Sequence, residues 1–237
     1  MLGAYFTSAL EMTALNNPQA GMQRFRTIAV EGPIGVGKST LARKLAARLG
    51  AELQLEQAQE NPFLERFYED MPGYAFQTQL FFLFQRVRKM QASAQPGMFA
   101  PRLVSDFLFA KDALFARLNL SDDEFRLYAQ MYAQAEQQVS APDLVVWLQA
   151  SPATLMQRIR KRAIGMEQGI SAAYLQRLCD AYVSYFRSYA GAPVFVIDTE
   201  DFNPVDTEAD FNALLARLGT FKGPREYFHS QGDAPIA

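Results

Sequence analysis

Short runs of consecutive apolar residues alternate along this chain with longer stretches in which apolar residues return every three or four positions. The first pattern reads as buried strands and the second as amphipathic helices. Thr27-Ile-Ala-Val-Glu31 is a β-branched strand, and Thr40 to Leu49 is a helix with Leu41, Leu45 and Leu49 on one face. Glu52-Leu-Gln-Leu-Glu56 alternates and predicts a second strand. Pro62 to Asp70 predicts a short helix, capped by Asn61 with Pro62 at its first position and stopped by Met71-Pro72-Gly73. Tyr74 to Ala94 predicts a long Phe- and Leu-rich helix, broken by Gln95-Pro96-Gly97. Arg102 to Asp106 predicts a third strand. Ser121-Asp-Asp-Glu124 has capping-box spacing and opens a helix to about Val139. Leu144 to Leu148 is apolar throughout, as in a strand covered on both faces. Helices are predicted from Ser151-Pro152 to about Arg162, from Ser171 to about Tyr189 and from Val205 to Leu218, with Val194 to Asp198 as a fifth strand.

Strands alternating with helices predict a single α/β domain with a five-stranded parallel sheet flanked by helices. Ligands of such sheets sit beyond the carboxyl ends of the strands. That singles out Glu31, Glu56, Asp106, the segment after Leu148, and Asp198. Residues 1–21 lack a basic start, and their mild apolar run is broken by Glu11 and Asn16-Asn17-Pro18. They read as a disordered extension rather than a signal peptide, with Met22 as an alternative start. The domain is expected over 22–220 and a frayed polar tail over 221–237.

Composition narrows the chemistry. The 237 residues suit one such domain, and the net charge of −2 argues against a broad nucleic-acid footprint. No run of about 18 apolar residues is present, so no membrane helix is expected and a cytoplasmic protein is the default. Cys179 is the only cysteine and His229 the only histidine. A disulfide within the chain and a cysteine- or histidine-based metal cluster are therefore excluded. Any general base must be a carboxylate, unless it is Lys or Tyr.

Gly32-Pro-Ile-Gly-Val-Gly-Lys38-Ser39 fits the phosphate-cradling pattern G-x-x-x-x-G-K-[ST], between a strand and a helix. The residues Gly32, Ile34, Gly35, Val36, Gly37, Lys38, Ser39 and Thr40 aim backbone N–H groups at one point, where the helix dipole adds positive character. Lys38 reaches the outer phosphates and Ser39 touches Mg²⁺, so the chain is expected to bind a nucleoside triphosphate. At the second strand end Glu56 can take a proton from a hydroxyl nucleophile, and at the third Asp106 can hold Mg²⁺. A solvated strand-end glutamate and a capping aspartate are the plain alternatives. Gln79 and Arg86, two turns apart on the long helix, share a face suited to reading a nucleobase edge. Arg158 and Arg162 share a face of a basic helix leading into Gly165-Met-Glu-Gln-Gly169. Such a helix and loop over a phosphate site read as a lid, about residues 158–170, that clamps the transferring group; a solvated basic face is the alternative.

Together these motifs resemble the deoxyribonucleoside kinase family, from about Thr27 to Phe202. The pieces that carry the resemblance are the Gly32–Thr40 loop, Glu56, Glu60-Asn-Pro-Phe-Leu64, Phe67-Tyr68, Phe76-Gln-Thr-Gln-Leu80, Arg86, Ser105-Asp106, Ala141-Pro-Asp-Leu144, Glu167-Gln-Gly-Ile170 and Asp201-Phe202. The resemblance implies a P-loop kinase fold with a lid. It also implies ATP- and Mg²⁺-dependent phosphorylation of the 5′-hydroxyl of a deoxynucleoside, a purine one by similarity to bacterial members, and a homodimer packed through helices. Neither nucleic acid nor membrane is an expected partner. By the same resemblance Glu56 is the general base, Gln79 binds the base with Arg86 beside it, and Tyr68 and Glu167 pin the sugar 3′-hydroxyl. Asp106 helps hold Mg²⁺, Arg158 is a lid arginine, and Asp201 and Phe202 lie against adenine. Two departures stand out. Asp106-Phe107-Leu108 lacks the arginine that usually follows the acidic residue, with Lys111 or Arg162 the candidates to compensate, and Ile164-Gly165-Met166 lacks one before Glu167. A thymidylate-type monophosphate kinase and a non-catalytic nucleotide-binding module are the competing readings.

Overall fold

The computed structural model of the chain describes residues 21–93 and 101–228. The expected extension before Gly21, the end of the long helix at Ala94 with its Gln95-Pro96-Gly97 break, and the tail from His229 lie outside the described residues.

Six parallel strands form one sheet in the order β2-β3-β1-β4-β5-β6. They are β1 (Thr27–Glu31), β2 (Glu52–Gln54), β3 (Leu103–Ser105), β4 (Leu144–Gln149), β5 (Val194–Asp198) and β6 (Arg225–Phe228). The helices are α1 (Lys38–Leu49), α2 (Leu64–Glu69), α3 (Met71–Ser93), α4 (Lys111–Asn119), α5 (Asp122–Glu136), α6 (Pro152–Arg162), α7 (Ala172–Ser188) and α8 (Glu208–Thr220). β1 lies in the middle, paired with β3 through Ala29↔Ser105 and with β4 through Glu31↔Trp147. After β1 the chain moves to one side for β2 and β3, then to the other for β4 to β6. The loops leaving β1 and β3 therefore open a crevice at the carboxyl edge.

The parallel α/β expectation holds, with a sixth strand added. The segment expected to fray carries Phe221, buried against Phe195 with ring centroids 5.5 Å apart, and then β6, paired with β5 from Val194↔Arg225 to Ile197↔Phe228. The pattern also passed over α4, a nine-residue helix whose first turn holds two buried charged side chains, Lys111 and Asp112. Met71-Pro72-Gly73 begins a helix instead of ending one. Asp70 Oδ1 accepts from Gly73 N at 3.2 Å, and Pro72 sits in the first turn, where a missing N–H costs nothing. The short helix starts at Leu64 rather than Pro62, and Asn61 Oδ1 accepts from Phe63 N at 3.0 Å just ahead of it. The capping box on α5 is present in both directions.

Candidate active site

The phosphate loop takes its shape from glycines placed where a side chain cannot go. A Cβ on Gly32, at φ 149°, would lie 2.4 Å from the Leu148 carbonyl oxygen. A Cβ on Gly35, at φ 85°, would lie 2.8 Å from Ile159 Cγ1, so helix α6 packs directly on the loop. Gly37 (φ 105°) is the N-cap of α1 and provides no side-chain cap, which leaves the first amides of that helix facing the loop. Val36 is buried beneath it, Ile34 packs against the core, and Ser39 and Thr40 stay exposed.

Lys38 Nζ donates to the carbonyl oxygens of Gly32 at 2.8 Å and Pro33 at 3.0 Å. Burial, with Lys111 as the strongest charged neighbour, lowers its pKa to about 8, against the pull of Glu31, Glu56 and Asp106. Ser39 Oγ donates to Asp106 Oδ2, and the other carboxylate oxygen accepts the backbone N–H of Glu56 at 2.6 Å. Asp106 thus ties the serine of the phosphate loop to the segment after β2 that carries Glu56.

Glu56 does not face bulk solvent. Oε1 accepts from Arg86 through Nε at 2.8 Å and through Nη2, while Oε2 accepts from Lys111 Nζ at 3.1 Å. Burial favours the neutral acid, but Arg86 and Lys111 outweigh it and hold the Glu56 carboxyl well below the usual carboxylate range. Arg86 in turn is anchored by Asp112, which is 0% exposed. Burial pushes the Asp112 carboxyl up to about 6, although Arg86 pulls the other way. The Arg86 guanidinium is itself raised above its ordinary value by Asp112 and Glu56, in spite of its burial. The pair is ionic at neutral pH, and Asp112 is its first member to take a proton on acidification. Gln79 is buried on the same face of α3, two turns before Arg86.

The deepest carboxylate, Glu31, is a framework group. It accepts from Gly32 N at 2.8 Å, Leu108 N at 2.7 Å and Tyr182 Oη at 2.8 Å, which fastens the phosphate loop, the β3–α4 loop and α7 together. Neither Tyr182 nor Asp112 was found from the sequence. Asp112 lies in the helix the pattern missed, and a buried aspartate beside a lysine carries no periodic signal.

The lid residues are dispersed rather than focused. Arg158 donates to Thr199 Oγ1 at 2.8 Å and to the Thr199 carbonyl at 2.6 Å, on the loop after β5. Arg162 pairs with Glu167 at the other end of α6. The two arginines expected to form a clamp thus meet separate acceptors, Thr199 and Glu167. Glu167 closes a single 3₁₀ turn, Gly165–Glu167. Nearby, a Cβ on Gly169 would meet Tyr68 Cβ at 3.2 Å, which sets the lid loop against α2. Burial first, then Tyr174 and Glu167, raise the Tyr68 pKa well above its usual value, so its hydroxyl stays a donor. Asp201 is exposed after β5. Phe202 is buried and packs edge-on against Phe228 at 4.9 Å.

No cluster of three or more His, Cys, Asp or Glu side chains suited to a metal ion occurs among the described residues. Ser39 with Asp106 is the donor pair present, a hydroxyl and a carboxylate. Such a pair fits a magnesium ion that draws its other ligands from phosphates and water. No helix of the described residues is long and apolar enough to cross a membrane.

A glycine loop at a helix start, with a carboxylate fixed beside it at the strand ends, defines a P-loop phosphotransferase. The chain belongs to the deoxynucleoside kinase family, whose family model matches residues 28–221. It is 29% identical over 196 residues to the deoxyguanosine kinase of Bacillus subtilis, covering 81% of this chain and 95% of that one. It is 32% identical over 185 residues to the deoxyadenosine kinase of Dictyostelium discoideum, covering 76% of this chain and 74% of the relative. A solved structure of deoxyadenosine kinase from M. mycoides with bound dCTP superposes with a TM-score of 0.70 at 25% identity, over 82% of this chain and all of that one. Between the two enzyme readings of the sequence, the match selects the nucleoside kinase over the thymidylate-type kinase.

Proposed function

We propose that this enzyme moves the terminal phosphoryl group of ATP, with Mg²⁺, onto the 5′-hydroxyl of a deoxyribonucleoside, with a purine preferred. The observation that carries the reading is the fixed carboxylate of Glu56. It is held ionised by Arg86 and Lys111 and tied through Asp106 to Ser39 of the phosphate loop. A base so held accepts the hydroxyl proton as the oxygen attacks the phosphorus. The amides of Gly32 to Thr40 and Lys38 hold the triphosphate. Magnesium, carried by Ser39 and Asp106, supplies charge neutralisation at the phosphates. Gln79 reads the base edge, with Arg86 behind it. Tyr68 and Glu167 hold the sugar 3′-hydroxyl, and Asp201 borders the donor's adenine side. The purine preference follows the deoxyguanosine and deoxyadenosine kinases among the relatives.

The same reading makes the protein a cytoplasmic homodimer that acts on small nucleosides and binds neither nucleic acid nor membrane. Phe84 on α3 and Leu127 on α5, at 52% and 46% exposure, offer apolar surface on two packed helices. Sedimentation should show a dimer, and a monomer at every concentration would contradict it.

The deciding experiment incubates the protein with ATP-Mg²⁺ and each of the four deoxynucleosides. A monophosphate is expected, fastest from a purine. Glu56→Gln should lose about 10²- to 10⁴-fold in turnover while ADP still binds. Absence of any monophosphate would refute the reading.

A further inference from the structure

Family resemblance leads one to expect an arginine directly after Asp106, the acidic residue that follows β3, facing the reacting phosphates. This chain has Phe107 there. Phe107 is 1% exposed and turned into a cavity of about 820 Å³ that Leu108, Phe109, Tyr132 and Val139 also line. Nothing at that position can carry a charge toward the site. One turn further on, at the first residue of α4, stands Lys111, 3% exposed.

Its ammonium is not a structural leftover of the core. Lys111 Nζ lies 3.1 Å from Oε2 of Glu56 and 3.9 Å from Oε2 of Glu31. Arg86 occupies only the other oxygen of Glu56. Lys111 is also the charged neighbour that most lowers the pKa of Lys38. The two ammonium groups thus share one neighbourhood with Glu31, Glu56 and Asp106. An anion between the two would relieve their repulsion.

The position of such an anion follows from bond lengths. A hydroxyl bonded to Glu56 lies about 2.6–3.2 Å from the carboxylate. A phosphorus in line for attack lies about 3–3.5 Å beyond it. The reacting phosphorus is therefore within about 7 Å of the Glu56 carboxylate, whose Oε2 is the oxygen that Lys111 meets at 3.1 Å. A lysine has a flexible stem and three donors with which to cover that span. Arg162, the other candidate, is directed at Glu167.

We propose that Lys111 takes the place of the missing arginine, with its ammonium stabilising the transferring phosphoryl group from the acceptor side. In the step, the 5′-oxygen bonds to the terminal phosphorus and that phosphorus separates from the bridging oxygen of ADP. The hydroxyl proton passes to Glu56. Lys111 meets the charge spread over the non-bridging oxygens. The proposal rests on the kinase reading above.

The test compares the parent protein with Lys111→Gln and Lys111→Arg in single-turnover phosphorylation of deoxyadenosine and deoxyguanosine. Calorimetry gives dissociation constants for ADP and for the nucleosides. Lys111→Gln removes the charge and keeps an N–H donor on the Glu56 side, on a stem one bond shorter. Its rate should fall about 10³-fold or more, with dissociation constants within about threefold of the parent. Lys111→Arg should recover much of that loss. A Lys111→Gln variant that turns over within about tenfold of the parent overturns the proposal. So does a loss of ADP binding in step with the rate, which marks a structural role. If Lys111→Gln does not fold, Lys111→Met is judged by the same criteria. A parent inactive on all four deoxynucleosides overturns the kinase reading and this proposal together, whereas an active parent with an unaffected variant overturns this proposal alone.

Discussion

The guanidinium of Arg86 grips a single oxygen of Glu56 twice, through Nε at 2.8 Å and through Nη2. The second oxygen is left for other donors. A carboxylate so held has one side fixed and one side for chemistry, and the fixed side is braced in turn by buried Asp112. Orientation of the Glu56 carboxylate is therefore inherited from a helix 30 residues further along the chain.

Arg86→Met should damage both stability and rate. It leaves Asp112 and Glu56 without their shared partner, and removing one member of a buried pair typically costs about 3–5 kcal/mol. Urea unfolding should show that loss. In folded protein the acid limb of the rate profile should move to higher pH, because Glu56 loses a cation that keeps it ionised.

Asp112 should give stability an unusual slope in mild acid. Its carboxyl is raised from 3.8 to about 6, so between these values the folded chain holds a proton that the unfolded chain releases. Its contribution is most favourable near pH 4 and is lost as pH rises through about 6. Glu56 works in the opposite sense and in a lower window. Its contribution is present above the ordinary carboxylate range and lost as pH falls below it. Asp112→Asn should remove the slope between pH 4 and 6, at most about 1.4 kcal/mol per pH unit. Unfolding midpoints at pH 4.5 and 7 for both proteins would check this, and parallel curves would contradict it.

ATP binding should weaken on the alkaline side. Lys38 sits at about 8 because burial and Lys111 disfavour its charge. Between pH 7 and 9 the protonated fraction falls about tenfold, and the apparent affinity for ATP should fall with it. Titration of ATP at the two pH values checks the shift, and Lys38→Met should abolish it along with most of the affinity.

Glu167→Gln should act on the nucleoside side alone. Glu167 pairs with Arg162 and stands near Tyr68. Loss of its charge should raise KM for the deoxynucleoside about tenfold, the scale of one charge-assisted hydrogen bond. The dissociation constant for ADP should stay unchanged. Steady-state kinetics with each substrate varied in turn separates the two.

Residues whose environment repeats along the chain were legible in the sequence. Leu144 to Leu148 is apolar at every position because the strand is covered on both faces, and Ser121 with Glu124 marked a helix start by local hydrogen bonding alone. Glu56, Asp106 and Ser39 were singled out at strand ends and a glycine loop, and hydrogen bonds do join the three. Lys111 and Asp112 broke the pattern: charged and buried, they owe their burial to partners 55 and 26 residues away, respectively. Arg225-Glu-Tyr-Phe228 has the composition of a tail and becomes a strand only through the backbone ladder of β5. A shared helix face likewise says nothing about which acceptor each long side chain meets, and Arg158 and Arg162 meet different ones.

The strand at the end of the described chain also determines where the protein can be cut. Residues 221–228 shield the backbone groups and aromatic rings along Val194 to Ile197. A polypeptide stopped after Thr220 would bare an apolar ribbon with unsatisfied amides, a template for adhesion between molecules. Such a fragment should be recovered from inclusion bodies, however complete its catalytic residues.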